Sequence, residues 1–439
     1  MDTIEAGPVV KNSVKNKLDN ADRRFHDWYR FVLSYPPHLV RHYIEEFQLT
    51  SNDLLLDPFC GTGTTLVEAK LNNIPSIGVE ANPMVHFASE VKTSWDVNPK
   101  RLEETYKIVL KKAAAKLRRQ KISDVISEGN GEALNLSRFT EEQEKILLKD
   151  SISPLPLHKC LVLRGEISKY ANTKYHKYLL LALANSTVFK FSNLKFGPEV
   201  GIGKIKKDAE VLSSWESEMV KIIDDLKSKS KEATLTKSKV ILGDARNLKS
   251  CLRGKRISAV ITSPPYPNEK DYSRTTRLES VLLGFVKNKV ELQALKRTLV
   301  RSNTRSVYKG DTDGQYIQGF TTIQDIANQI EQTRIEMGKT SGFERLYHTV
   351  TRLYFGGMAK HLLDLQSILR PNAMLAYVVG DQASYLQVMI RTGNLIAEIA
   401  ESLGYEVVRI DLFRTRFSTA TKSDLNEEVV ILRWPGLQI

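Results

Sequence analysis

The segment Ser263-Pro264-Pro265-Tyr266 places a hydroxyl group, two prolines and an aromatic ring in four consecutive residues. The prolines fix the backbone and lack N–H donors, so Ser263 and Pro264 present rigid carbonyl groups. Hydrogen bonds from an exocyclic amine to the Ser263 hydroxyl and the Pro264 carbonyl would push electron density onto the amine nitrogen. Tyr266 could stack on the same heterocycle, because enzymes that modify a base in a duplex first flip it out. The alternative is a proline-rich turn that ends a strand beside a packed aromatic ring.

A second candidate site is the glycine turn at residues 60–64, with sequence Cys-Gly-Thr-Gly-Thr. Glycine at positions 61 and 63 lets the backbone approach a ligand closely and adopt positive φ. The residue three positions after Gly63 is Leu66, so the Gly-x-Gly-x-x-Gly pyrophosphate motif is not satisfied. The turn therefore favours a small-molecule site that is not an NAD site.

Three acids each end a predicted strand: Asp57, Glu80 and Asp244. Glu80 is placed to accept hydrogen bonds from both hydroxyls of a ribose, and Asp244 could accept one from an adenine amino group. Each acid alone is better explained as a helix cap, for Asp57, or as an ordinary loop residue. Three acids at the carboxyl ends of neighbouring strands instead predict a site for a nucleoside with a positively charged tail.

Strand-like and helix-like segments alternate around these motifs. Residues 54–57 and 74–80 are apolar runs that end in an acid, and residues 65–71 between them have helical spacing. This succession predicts a parallel β-α-β unit with a right-handed crossover. Further strands are predicted at residues 240–244, 257–262, 374–379, 405–410 and 428–432. The predicted fold is α/β, with a Rossmann-like sheet and a large helical insertion.

Six segments are predicted along the chain. They are an N-terminal tail (1–24), a first core part with cofactor motifs (25–94), a helical insertion that is the candidate for target recognition (95–237), a second core part with the catalytic motif (238–274), a basic helical insertion (275–349) and a third core part (350–439).

Composition narrows the class of protein further. The chain has 439 residues, of which 41% are hydrophobic, and a net charge of +13, which suits a globular protein with a polyanionic partner. No apolar run is long enough to cross a bilayer, and the polar start at 1–17 predicts no secretory signal. The three cysteines are far apart and the histidines lack ligand spacing, so we predict a reducing cytoplasm, no disulfide framework and no metal site.

Basic and polar residues after the catalytic turn are candidates for contact with nucleic acid. Asn268, Tyr272 and Arg274 would line the base pocket or contact the strand that the base leaves. A basic run farther on could neutralise phosphates, although a solvated helix face explains it equally well. Its candidate residues are Lys296, Arg297, Arg301 and Arg305.

Residues 57–64 together with Thr262-Ser263-Pro264-Pro265-Tyr266 resemble the motifs of the S-adenosylmethionine-dependent DNA amino-methyltransferases, the N4-cytosine and N6-adenine methylases. Motif matches span about half of the chain, and the large insertion between the second and third strands departs from the commonest arrangement. Residues 34–40 are similar to a further cofactor-side segment. The resemblance implies that the cofactor is held by Ser34, Pro36, Asp57, Phe59, Gly61, Gly63, Thr64, Glu80 and Asp244. It implies catalysis by Ser263, Pro264, Pro265 and Tyr266.

The resemblance implies that the Rossmann-like sheet is a class I methyltransferase sheet. The implied activity is methyl transfer from S-adenosylmethionine to the exocyclic amine of a flipped base in double-stranded DNA. The setting would be a restriction-modification or related system, with a cognate restriction endonuclease as a candidate partner and no membrane. Serine at position 263 favours cytosine N4, and adenine N6 is the first alternative. An RNA amino-methyltransferase, a non-catalytic nucleic-acid-binding subunit and a protein-amine methylase remain open.

Overall fold

A computed structural model of the protein describes residues 20–29, 34–126, 135–197, 199–418 and 422–436. The polar start at residues 1–17, and with it most of the predicted tail 1–24, lies outside the described residues. Among the helices that are described, none combines the length and the apolar character needed to cross a membrane.

Strands of the described residues form a central seven-stranded sheet and a separate two-stranded sheet. Their bounds are β1 Leu55–Asp57, β2 Ser76–Glu80, β3 Leu194–Phe196, β4 Val200–Ile202, β5 Ser238–Leu242, β6 Ile257–Thr262, β7 Leu369–Gly380, β8 Glu406–Ser418 and β9 Ser423–Trp434. The central order is β5-β2-β1-β6-β7-β9-β8, and β9 runs antiparallel to both of its neighbours in an otherwise parallel sheet. This order confirms the predicted Rossmann-like methyltransferase fold.

Helices cover both faces of the central sheet and fill the insertion. Their bounds are α1 Pro37–Glu46, α2 Thr64–Leu71, α3 Pro83–Thr93, α4 Pro99–Arg119, α5 Glu141–Glu144, α6 Pro154–Ile167, α7 His176–Ser186, α8 Val211–Lys227, α9 Lys231–Leu235, α10 Leu248–Cys251, α11 Tyr272–Thr275, α12 Arg277–Leu283, α13 Lys289–Thr298, α14 Thr321–Glu336, α15 Tyr347–Leu365 and α16 Thr392–Ser402.

The central strands of the sheet are buried on both faces, and their apolar side chains point alternately to one face and the other. In β1, Leu55 packs in a cluster with Leu39 and Tyr43 of α1, whereas Leu56 packs in a cluster with Tyr354 of α15. Successive side chains of a strand point to opposite faces, so one short apolar run contributes to two cores. This double burial explains why the strands appear in the sequence as continuous apolar runs.

The helical insertion shares its core with the start of the chain. Helices α4, α6, α7 and α8 pack around an apolar cluster that includes Trp215, and Phe25 and Trp28 belong to the same cluster. The Phe25 ring stacks on Trp95 with a centroid distance of 4.0 Å. The insertion is therefore joined to the core by apolar packing as well as by the chain.

One local prediction was wrong in detail. A strand was predicted at residues 374–379, but β7 already begins at Leu369 and runs through Pro371. The pairing of β7 with β6 shifts register between Ile257 and Ala259, and Asn372 adopts φ +64°. Because Pro371 has no N–H to donate, the strand accommodates it at this irregularity.

Candidate active site

A cavity of about 490 Å³ opens at the carboxyl edge of the parallel strands, and both predicted motifs line it. Gly61 of the glycine turn and Tyr266 of the proline turn are far apart in the chain, and both line this cavity. The predicted residues that line this cavity are Ser34, Pro36, Phe59, Gly61, Thr64, Glu80, Asp244, Ser263, Pro264, Pro265, Tyr266, Asn268, Tyr272 and Lys296. The predicted residues outside its lining are Asp57, Gly63, Arg274, Arg297, Arg301 and Arg305.

The glycine turn needs glycine at position 63 for two structural reasons. Gly63 precedes α2 with φ +82°, in the left-handed region that other residues rarely adopt. A Cβ atom built on it would lie 2.4 Å from Oγ of Ser89 in α3. Gly63 therefore packs against a neighbouring helix, whereas Gly61 faces the cavity.

Glu80 ends β2 and is tied to the glycine turn. Its Oε2 atom accepts a hydrogen bond from the Gly61 N–H (3.0 Å), and Oε1 accepts one from the Asn82 N–H (2.8 Å). Burial raises the pKa of Glu80 from its ordinary 4.5 to about 7. Each carboxylate oxygen retains a lone pair, so the side chain can accept hydrogen bonds from both hydroxyls of a ribose.

Asp57 has a different position from the one predicted, which corrects its assignment as a cofactor contact. Its carboxylate is fully buried and lies outside the lining of the cavity. Oδ1 accepts hydrogen bonds from the Phe59 N–H (3.1 Å) and the Thr262 hydroxyl (2.6 Å), and Oδ2 accepts one from the Thr65 hydroxyl (2.6 Å). Because donors of the protein itself occupy both oxygens, Asp57 joins the ends of β1 and β6 and the start of α2.

Asp244 lines the cavity but is held by an arginine that the sequence analysis did not single out. Both of its carboxylate oxygens accept hydrogen bonds from the Arg246 guanidinium, at 2.6 to 3.2 Å. Arg246 also contacts Asp313 at 2.5 Å. The backbone N–H of Arg246 also donates to Oδ1 of Asp244 (2.9 Å), so this chain of charges orients a carboxylate that stays partly exposed at the cavity.

The proline turn is held by contacts on three sides. The Ser263 hydroxyl donates a hydrogen bond to the carbonyl oxygen of Val378 in β7 (3.2 Å). The Tyr266 N–H donates to the Tyr272 hydroxyl (3.0 Å), and the Tyr266 ring packs against Gly380 at the end of β7. Burial raises the pKa of Tyr266, so its phenol stays protonated.

The loop after this turn is bound by a segment of the basic insertion. The Glu269 N–H donates to the Ser302 carbonyl (3.2 Å), and the Thr304 N–H donates to the Glu269 carboxylate (2.9 Å). Asn303 donates through Nδ2 to the Lys270 carbonyl (3.0 Å). Asn303 is only 4% exposed and lines the cavity, and within the described part of the chain its Oδ1 has no hydrogen-bond partner. No local sequence pattern pointed to this acceptor.

The structure corrects two of the predicted phosphate contacts. Lys296 is buried, and its Nζ lies 2.7 Å from Asp271. Arg301 is also buried and binds both carboxylate oxygens of Asp311, at 2.8 and 2.9 Å. Their charges are neutralised inside the fold, so neither side chain is available to a phosphate. Arg297 is exposed, with its guanidinium 4.8 Å from the Tyr308 ring centroid.

Other basic residues stand around the cavity. Arg274 and Arg305 are partly exposed, and each lies 3.6 Å from the Glu199 carboxylate. Sequence reasoning missed three cations that line the cavity, which are Lys270, Arg414 and Arg416. The alternation of Arg414 and Arg416 along β8 was a usable signal, because residues two apart in a strand share a face.

Comparison with known proteins points to one class of enzyme. The N6/N4 methyltransferase family model, described as DNA methylase, matches residues 7–90, which include the glycine turn and Glu80. The Type II methyltransferase M.BsoBI of Geobacillus stearothermophilus is 28% identical over 445 residues, covering 94% of this chain and 85% of that protein. The Type II methyltransferase M.AvaI of Nostoc sp. is 25% identical over 412 residues, covering 89% and 81% respectively.

Similarity to solved structures is weaker. TrmN from Thermus thermophilus shares 8% sequence identity with a TM-score of 0.32, over 94% of this chain and 52% of that one. So low a score adds no support, and the fold assignment rests on the strand order of the sheet.

Proposed function

We infer that this chain is a member of the S-adenosylmethionine-dependent DNA amino-methyltransferases, whose motifs it carries and whose family model and Type II relatives it matches. It is an enzyme that methylates an exocyclic amine of a DNA base, and we propose that the amine is N4 of cytosine, with N6 of adenine as the alternative. The observation that carries the proposal is the shared cavity, which Gly61 and Tyr266 both line.

The cofactor side of the cavity has groups that suit S-adenosylmethionine. Glu80 has spare lone pairs for the ribose hydroxyls, and the partly exposed carboxylate of Asp244 would lie near the adenine amino group. Phe59 and Gly61 would lie against the methionine moiety, with Ser34, Pro36 and Thr64 beside it. When bound, this cofactor supplies a methyl group on a positively charged sulfur, which is a good leaving group. The protein contributes mainly proximity and orientation.

The base side is organised to accept hydrogen bonds from an amine. Because the Ser263 hydroxyl donates its hydrogen to the Val378 carbonyl, the lone pairs of Oγ are left to accept an amine N–H. The Pro264 carbonyl supplies a second acceptor, and the Tyr266 ring stacks on the base. These acceptors would hold the amine nitrogen toward the methyl group that the cofactor would supply, and one amine hydrogen would leave as a proton in exchange for that group. Serine at position 263 supports cytosine as the target.

Double-stranded DNA is the proposed substrate, and the net charge of +13 supports a polyanion. Asn268 and Tyr272 would line the base pocket, and Arg274, Arg297 and Arg305 would contact the backbone. The insertion at residues 95–237 is the proposed reader of the target sequence. The Type II names of the relatives support a restriction-modification role, with a cognate endonuclease as a partner to be sought.

The proposal is tested by transfer of a labelled methyl group from S-adenosylmethionine to DNA. Sequencing of DNA from cells that express the protein should detect N4-methylcytosine at a defined site, and N6-methyladenine there would select the alternative target. Competition between duplex DNA and RNA for methylation distinguishes a DNA methyltransferase from an RNA methyltransferase. Absence of transfer to any nucleic acid, with the cofactor bound, would indicate a non-catalytic binding subunit.

A further inference from the structure

The hairpin of β8 and β9 projects beyond the rest of the sheet at the edge where the cavity opens. Pairing of β7 with β9 ends at Gly380, which lies opposite Glu427. Pairing of β8 with β9 continues past that point to Ser418, opposite Ser423. Residues 415–418 and 423–426 therefore form a two-stranded ribbon that extends past the end of β7 beside the cavity.

Arg416 on this ribbon and Lys270 on the loop after the proline turn both line the cavity. Within the described ranges, neither side chain makes an ion pair or a hydrogen bond to another residue of the protein. Burial lowers the pKa of Lys270 and the nearby Arg416 guanidinium lowers it further, whereas the carboxylates of Glu199 and Glu427 partly oppose this shift. Two like charges thus stand close together at the cavity without a carboxylate bound to either.

The neighbouring cations differ in this respect. Arg414 binds both oxygens of Glu427 at 2.6 Å, while Arg274 and Arg305 share Glu199. Adjacent like charges destabilise each other, and a bound anion removes that cost. The cavity is also lined by Tyr266, whose ring is proposed to stack on a flipped base. We therefore expect an anion that is part of the same nucleic acid as that base. A phosphodiester meets this requirement.

We propose that Lys270 and Arg416 bind the phosphodiester next to the flipped nucleotide and so position its base in the cavity. The proposal rests on the proposed function, because it takes a flipped base in DNA as the substrate. Flipping rotates a nucleotide about its own backbone, which leaves the flanking phosphates at the cavity mouth. The planar fork of Arg416 suits two phosphate oxygens, and Lys270 adds a point charge. Both are positioning residues.

The test measures binding to a duplex of about 25 base pairs in which one cytosine lies opposite an abasic site, because an unpaired base flips at lower cost. Binding is titrated with salt for the intact protein, for Lys270→Ala, for Arg416→Ala and for the double variant. Lys255→Ala and Arg370→Ala are matched controls, since both residues are exposed and lack an ion pair in the described structure. Lys255 precedes β6 and Arg370 lies at the start of β7, so both are at the opposite edge of the sheet from the cavity.

We expect the slope of log K against log salt to fall by about 1 for each single variant and by about 2 for the double variant. The controls and the charge-preserving variants Lys270→Arg and Arg416→Lys should keep the original slope. Methylphosphonates on both sides of the unpaired cytosine should weaken binding by the intact protein and leave the double variant unaffected.

An unchanged slope in the alanine variants would overturn the proposal, as would equal weakening of the intact protein and the double variant by the methylphosphonates. Methyl transfer to DNA by the intact protein is measured in parallel. If the intact protein methylates DNA but the salt slopes of the variants are unchanged, only the phosphate site is rejected. If the intact protein neither methylates nor binds DNA, the proposed function is rejected as well.

Discussion

The ring of Tyr266 lies directly against Gly380, so close that a Cβ atom at position 380 would be 3.0 Å from Cε2 of the ring. Gly380 is the last residue of β7, and β7 also provides the Val378 carbonyl that binds Ser263. The end of one strand thus fixes both the hydroxyl and the ring of the proline turn. This contact makes the position of the ring sensitive to a single methyl group.

Gly380→Ala should lower the methylation rate without affecting cofactor binding. The added methyl group must displace the Tyr266 ring by a few tenths of an ångström, and misplacement at a reacting site costs roughly 10- to 100-fold in rate. The measurement is single-turnover methyl transfer beside calorimetric binding of S-adenosylmethionine. Gly165→Ala in α6 is the control, because no atom lies within 4 Å of the added group. Equal rates for both variants would contradict a positioning role for this contact.

Ser263→Ala combined with Tyr266→Ala should lower the rate of methyl transfer by about 100-fold or more, because the double variant loses an amine acceptor and the stacking ring. Calorimetry should show cofactor binding close to that of the unaltered protein, since Glu80 and Gly61 are untouched. Loss of cofactor binding together with activity would instead indicate that the turn maintains the fold.

Cofactor binding should weaken as the pH falls below neutrality. Burial raises the pKa of Glu80 to about 7, and its carboxylate form is the one with full capacity to accept ribose hydroxyls. Protonation below that pKa therefore opposes binding, and affinity should fall about tenfold between pH 8 and pH 6. Calorimetric titrations across this range measure the effect, and Glu80→Gln should remove it.

Glu279 supplies a matched control for that pH dependence. Burial raises its pKa to about 7 as well, but it lies outside the cavity lining and its Oε1 accepts a hydrogen bond from Tyr29 at 2.5 Å. Glu279→Gln should leave the pH dependence of cofactor binding intact. If the pH dependence of cofactor binding disappeared in Glu279→Gln, Glu80 would not be its source.

Gly63→Ala should destabilise the protein by about 2 kcal/mol or more, because it combines an unfavourable φ with a clash. The new Cβ would lie 2.4 Å from Oγ of Ser89. Gly254 has φ +77° with open space around it, so Gly254→Ala isolates the backbone cost, which is about 1 kcal/mol. Urea unfolding compares the two, and equal losses would show that the Ser89 contact is unimportant.

The sequence was most informative where function depends on short contiguous motifs. The acid at the end of β2 and the proline turn after β6 were both identified before the structure was known, because strand ends and turns have local signals. The apolar runs likewise predicted the strands of the sheet. Asp57 was misassigned because a sequence cannot show that its oxygens are already occupied by Thr262 and Thr65.

Residues brought together by tertiary packing were harder to predict. Lys296 and Arg301 belong to a basic run in the sequence, but Asp271 and Asp311, which lie outside that run, neutralise them in the fold. Lys270 and Arg416 are far apart in the chain, and only the extended pairing of β8 with β9 brings them to one cavity. Long-range charge partners of this kind have no local signature.

The buried carboxylate of Asp57 has a consequence for how the two reactants would be aligned. It binds the backbone N–H of Phe59 on one side and the hydroxyl of Thr262, the residue before Ser263, on the other. One buried side chain thus couples the segment that would hold the methyl donor to the segment that would hold the amine. Shortening or neutralising it should change the spacing of these two segments while the reactive groups themselves stay intact.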